Sequence, residues 1–131
     1  MSRRELREQI FKLLFRIEFN SPEEMPEQEQ LFFEDSCEAD AADEEYISSK
    51  YRKIAEKLET IDEMLNTKTE NWNTDRMGKV DLTILRLAVY EIAFDDEVPT
   101  GVAINEAVEL AKKFGQDASS GFVNGILARF A

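Results

Sequence analysis

The stretch Val102-Ala103-Ile104-Asn105-Glu106-Ala107-Val108-Glu109-Leu110-Ala111-Lys112-Lys113-Phe114-Gly115 decides the fold class. Ala103, Ala107, Leu110, Ala111 and Phe114 recur three and four residues apart, which sets them on one face of an α-helix and is incompatible with the two-residue alternation of a strand. Asp95, Asp96, Glu97 and Pro99 stop the preceding element, and Thr100 stands where it can cap the new helix. At the far end Gly115 suits a left-handed C-terminal cap.

The same period continues on both sides. Upstream, Val80, Ile84, Leu87, Ala88 and Ile92 mark a helix from about Lys79 to Phe94, and Leu82, Leu85 and Val89 make it the most apolar of all. Downstream, Ser119 or Ser120 starts a last helix in which Phe122, Ile126 and Phe130 repeat every four residues. Gly121 and Gly125 share one face of it, which predicts close approach of a neighbouring helix. Ile47, Tyr51, Ile54, Leu58, Ile61 and Leu65 follow alternating steps of four and three, one amphipathic helix that Asn66, Thr67 and Thr69 bring to an end. Trp72, in Asn71-Trp72-Asn73, then reads as a core anchor.

At the N-terminus Ser2 stands three residues before Glu5, the capping-box spacing. Leu6, Ile10, Leu13, Leu14 and Ile17 follow at helical intervals, with Phe11, Phe15 and Phe19 in a neighbouring row; Asn20-Ser21-Pro22 ends the helix. From Pro22 to about Glu45 the only strong apolar residues are Leu31, Phe32 and Phe33. One short helix is expected around Glu27 to Cys37, and Asp40 to Glu45 reads as a loop or a charged helix start. With no strand pattern anywhere, the expectation is an all-α, compact, single-domain bundle of about seven helices spanning 1–131, with an acidic segment at about 21–45.

The 131-residue length suits one core. No charged leader, apolar block or run long enough to span a bilayer occurs, so a cytoplasmic protein is expected. One cysteine, Cys37, leaves no internal disulfide or Cys-x-x-Cys site, and there is no histidine for proton transfer or metal ligation. The five glycines match neither phosphate-binding fingerprint. Asn105, Glu106 and Glu109 invite an acid-base reading but have no partner or pocket in view. No catalytic residue, metal or cofactor is expected.

The formal charge of −12 is unevenly spread. Eleven acids and no Lys or Arg lie between Ser21 and Glu45, so the rest of the chain carries 17 acids against 16 bases. Residues 1–19 hold five bases and three acids, an excess of +2. Screening over about 8 Å lets an acidic segment coexist with a basic patch elsewhere. The acidic run itself reads as a solvated surface or as an electrostatic lure for a basic partner. Arg3 and Arg7, four apart on one helical face, can fork onto phosphates or stack on unpaired bases. They also fit a merely solvated helix start.

The stretch quoted first, together with Phe122-Val123-Asn124-Gly125-Ile126-Leu127, Arg76-Met77-Gly78-Lys79-Val80-Asp81, Ile84-Leu85-Arg86-Leu87-Ala88-Val89-Tyr90-Glu91-Ile92, Pro99 and the basic Ser2-Arg3-Arg4 start, resembles the NusB family of bacterial transcription antitermination proteins. The likeness covers nearly everything outside 21–45. It implies a non-enzymatic helical factor that binds boxA-type single-stranded RNA together with NusE, a small-subunit ribosomal protein. The pair would join the RNA polymerase antitermination complex, chiefly on ribosomal RNA operons.

By that resemblance the RNA-binding residues are Arg3, Arg4, Arg7, Lys112, Lys113, Phe114, Ser119, Ser120 and Asn124, and the NusE-facing ones are Phe15 and Asp81. Core packing for Phe15 and helix capping for Asp81 are their ordinary alternatives. Glu5 and Leu6 interrupt an arginine run that is denser in some members, and Ala118 stands where members often carry an acid, with Asp117 one residue earlier. Two other readings fit the chain: a homodimer or protein-only adaptor using the apolar first helix, and a helical domain separated from a ribosomal RNA methyltransferase.

Overall fold

A computed structural model describes residues 1–35, 38–69 and 72–131. The described residues form seven α-helices and no strand: α1 (Arg3–Phe15), α2 (Met25–Asp35), α3 (Ala41–Glu56), α4 (Leu58–Lys68), α5 (Lys79–Phe94), α6 (Thr100–Phe114) and α7 (Ser119–Leu127). The expected end of the second helix at Cys37, and the Asn71 flank of Trp72, lie outside the described residues. Contacts gather the chain into two compact units, 1–55 and 56–131.

In the first unit the capping box forms as its spacing predicts: the Glu5 amide donates to Ser2 Oγ at 3.1 Å, and the Ser2 amide donates to the Glu5 carboxylate at 3.2 Å. Ile10, Phe11, Leu13 and Leu14 are buried, while Leu6 and Ile17 are half-buried. The α-helix stops at Phe15, earlier than Asn20-Ser21-Pro22 predicts, and tightens into a 3-10 turn over Arg16–Glu18. Arg16 accounts for that tightening. Its guanidinium donates to the Gln28 carbonyl and side chain, both at 3.1 Å, and lies over the Phe32 ring, tying the turn to α2. The charged run Asp40 to Glu45 is a helix start, with Asp40 Oδ1 accepting the Asp43 amide at 2.9 Å.

The continuous seam from Ile47 to Leu65 belongs to two helices rather than the single one expected. Lys57 alone leaves the helical region, at φ −102° and ψ 4°, between α3 and α4. Ideal helical values are near −63° and −42° with a scatter of about 15–20°, so Lys57 is outside the helical region although the apolar spacing in the sequence continues through it. No glycine or proline marks the break. Ile47, Tyr51, Ile54, Ile61 and Leu65 are all buried, as the seam requires.

The second unit is built around α5, whose boundaries match the expectation. Leu82, Thr83, Ile84 and Leu85 are consecutive and buried, so every side of this helix is covered. Asp62 joins α4 to it through a two-pronged pair with Arg86, Nε to Oδ1 at 2.9 Å and Nη2 to Oδ2 at 2.8 Å. Arg129 donates to the Lys68 carbonyl at 2.8 Å, tying the end of the chain to the end of α4.

Three glycine and cap expectations change. Thr100 is the first residue of α6, not its cap; Pro99 holds the cap position and no side chain satisfies it. Gly115 has φ −92°, so no left-handed cap forms. It is needed for space: a Cβ there would lie 2.5 Å from Ser119 Cβ and 2.8 Å from the Ala111 carbonyl oxygen. A Cβ on Gly121 or Gly125 would meet nothing within 4 Å, so these two do not serve the close helix approach expected of them. They instead line an open groove.

Candidate nucleic-acid interface

Arg3 and Arg4 occupy the first turn of α1 and are exposed, and Arg7, one turn on from Arg3, is half-buried at the edge of the face that carries Ile10 and Leu14. A helix N-terminus bears about half a positive charge, so arginines there oppose the macrodipole and lower helix stability slightly. Glu5 is the acid that offsets them, its carboxyl held below the ordinary value of 4.5 by the Ser2 amide and hydroxyl. The charges are less segregated than the sequence implies. The start of the acidic α3 lies beside this end, with Asp43 Oδ2 3.2 Å from the Met1 amino nitrogen.

Lys112 and Lys113 lie in the last turn of α6, the end where cations favour the dipole. Both are exposed; Lys112 pairs with Glu109 at 3.5 Å, and the Lys113 ammonium sits 5.5 Å from the centre of the half-buried Phe114 ring. The turn at Gly115 then directs the chain into α7. Ser119 is 5% exposed, and its Oγ accepts the Gln116 amide at 3.0 Å, so this hydroxyl holds the turn. Ser120 is half-buried and Asn124 exposed, one turn apart on α7. The structure thus brings Lys112, Lys113, Phe114, Ser120 and Asn124 onto one helix pair, while Arg3, Arg4 and Arg7 belong to the other unit.

Sequence reasoning missed the aromatic part of this second region. Trp72 is 48% exposed rather than a core anchor, and it meets Phe122 edge-on with ring centroids 5.3 Å apart. The Thr69 hydroxyl, with one proton to share between them, faces the Leu65 carbonyl at 2.7 Å and the Trp72 carbonyl. Trp72, Phe122, Gly121, Gly125 and Arg129 line a groove of about 290 Å³. An aromatic pair beside a guanidinium and two residues without side chains has the chemistry of a base-stacking platform. The available signal was a tryptophan in a polar stretch and two glycines on one helical face.

Phe15 is half-buried, 6.1 Å from Phe11 and 5.1 Å from Phe19, which is 62% exposed. Asp81 is half-buried in the first turn of α5, where its charge favours the helix dipole. Among the described residues no cluster of acids, Cys or His has the makings of a metal site, and no helix is long and apolar enough to cross a membrane.

Residues 4–131 match the model of the NusB family. The transcription antitermination protein NusB of Lachnoclostridium phytofermentans is 55% identical, over 98% of this chain and 98% of its own. That of Agathobacter rectalis is 49% identical over 100% of both. Among solved structures, T. maritima NusB matches with a TM-score of 0.87 and 39% identity, covering 100% of this chain and 91% of that one. A structure of antitermination factors NusB and NusE in complex with dsRNA matches with a TM-score of 0.82 and 25% identity, covering 98% of this chain and 94% of that one.

Proposed function

The chain belongs to the NusB family, whose curated relatives are transcription antitermination proteins rather than enzymes, and from that premise we propose how it works. It binds boxA-type single-stranded RNA together with NusE in the cytoplasm. The complex joins RNA polymerase and suppresses premature termination, chiefly in ribosomal RNA operons. No cofactor takes part.

The observation that carries the RNA half is the placement of Arg3, Arg4 and Arg7 in the first turns of α1. Arg3 and Arg4 stand in the first turn, where the dipole gains nothing from a cation, and guanidinium forks there fit a phosphodiester backbone. Lys112, Lys113, Ser120 and Asn124 supply further polar contacts, and the Phe114 ring lies under the Lys113 ammonium. Ser119 acts by shaping the turn. Trp72 and Phe122 take an unpaired base in their groove. Phe15, with its exposed neighbour Phe19, and Asp81 face NusE: an aromatic anchor and an acid suit a basic ribosomal protein.

Titrating boxA-type RNA against the protein, with and without NusE and at several salt concentrations, tests this reading. Salt-sensitive binding that tightens with NusE is expected. Absence of salt-sensitive binding in both arms refutes it. The exposed Phe19 also fits contact with a second copy of the chain. Sedimentation over a range of concentrations decides that point, since a stable dimer that excludes NusE favours the protein-only adaptor.

A further inference from the structure

A second groove, of about 380 Å³, runs along α2 and α3 in the first unit, and none of the residues assigned above lines it. Pro26 and Phe33 give it apolar surface, and Glu29, Glu44 and Glu45 give it acidic walls. Phe33 is half-buried and meets the buried Phe32 edge-on, ring centroids 5.3 Å apart. The groove already receives one guanidinium. Arg52, with a side chain 67% exposed, reaches Glu29 at 3.0 Å, while the Glu29 side chain is 12% exposed and also accepts the Ser48 hydroxyl.

We infer that this groove docks an arginine-bearing segment of a partner protein, with an apolar side chain seated against Phe33 and guanidinium groups on Glu44, Glu45 and Glu29. Charge complementarity selects the partner. Seven of its nine lining residues lie in the segment that carries eleven acids and no base, and its three glutamates outnumber Arg52, so the groove repels nucleic acid and attracts cationic protein. Arg52 shows the chemistry from within: one guanidinium nitrogen is paired with a largely buried carboxylate there. Because Arg52 is itself exposed, an incoming arginine competes with it rather than with a packed core. The inference does not depend on the RNA-binding reading.

A fluorescent, end-capped peptide of alternating arginine and leucine, titrated by anisotropy against the full chain, is the probe. Glu44→Gln with Glu45→Gln is expected to weaken it about tenfold. Glu23→Gln with Glu27→Gln, an equal loss of charge from exposed acids outside the groove, changes affinity less than about twofold. Arg52→Ala frees Glu29 and tightens binding about threefold, whereas Lys53→Ala, the same charge change one residue on, leaves it nearly unchanged. Replacing leucine by serine in the peptide weakens it about fivefold, reporting the Phe33 contact.

Equal effects in the two charge-matched pairs would mean diffuse attraction and would overturn the site. So would self-association of the protein that Glu44→Gln with Glu45→Gln abolishes, since the groove would then belong to a second copy. Glu44 and Glu45 are rim residues on the first turns of α3, and far-UV ellipticity of the double variant confirms that the helices persist.

Discussion

The two basic clusters stand at opposite ends of their helices. Arg3 and Arg4 open α1, where the backbone dipole is positive; Lys112 and Lys113 close α6, where it is negative. The dipole therefore favours the lysines whether or not a ligand exists, and works against the arginines. Position relative to the dipole separates bases placed for binding from bases that also serve the helix, a distinction that net charge hides.

The strongest way to break the comparison is to disturb the support of one cluster. Gly115→Ala places a methyl group against Ser119 and the Ala111 carbonyl oxygen, so a loss of about 1–3 kcal/mol is expected in urea unfolding. RNA contacts from α6 and α7 weaken with it, while those of α1 persist. Next in size is Arg3→Ala with Arg7→Ala. RNA affinity at fixed salt falls about tenfold, and the slope of log affinity against log salt becomes shallower by about 1.4, two phosphate contacts at about 0.7 each. Far-UV ellipticity stays at the level of the unsubstituted protein.

Lys112→Ala with Lys113→Ala sharpens the contrast from the other side. Affinity and stability fall together, the stability by about 0.3–1 kcal/mol in urea melts. The smallest effect concerns the capping box. The Glu5 carboxyl titrates below 4.5 in the folded chain because the Ser2 amide donates to it, so its contribution is present above that pH and is lost as pH falls through the lower folded value. Helix content of α1, followed by amide chemical shifts, drops over that acid window, and Glu5→Gln removes the pH dependence. An unchanged profile in Glu5→Gln would assign the transition to another carboxylate.

Regular periodicity made α5, α6 and the capped start of α1 legible, since burial of one face and a side-chain cap are local and repeat along the chain. The break at Lys57 was not legible because the apolar spacing continues across it and no glycine or proline marks it. Gly115 was recognised as special for the wrong reason. Its backbone is extended, and the demand for no side chain comes from Ser119, four residues later, through tertiary geometry. Trp72 shows the converse limit: hydrophobicity predicts burial, but the groove that leaves half its surface open is made by two glycines far along the chain. Of the candidate site, the basic residues were legible as exposed charges; the aromatic groove and the structural duty of Ser119 were not.

The burial of α5 on every side makes it a clock for the rest of its unit. Amide hydrogens in its centre exchange with solvent only when the surrounding helices come apart, so their rates report the rarest opening of the structure. A ligand bound only by the closed form lowers that opening by the factor 1 + [L]/Kd. Deuterium uptake at Ile84 to Ala88 therefore slows as RNA occupies its site, and the centre of a helix that offers the ligand no surface there becomes the place where its occupancy is timed.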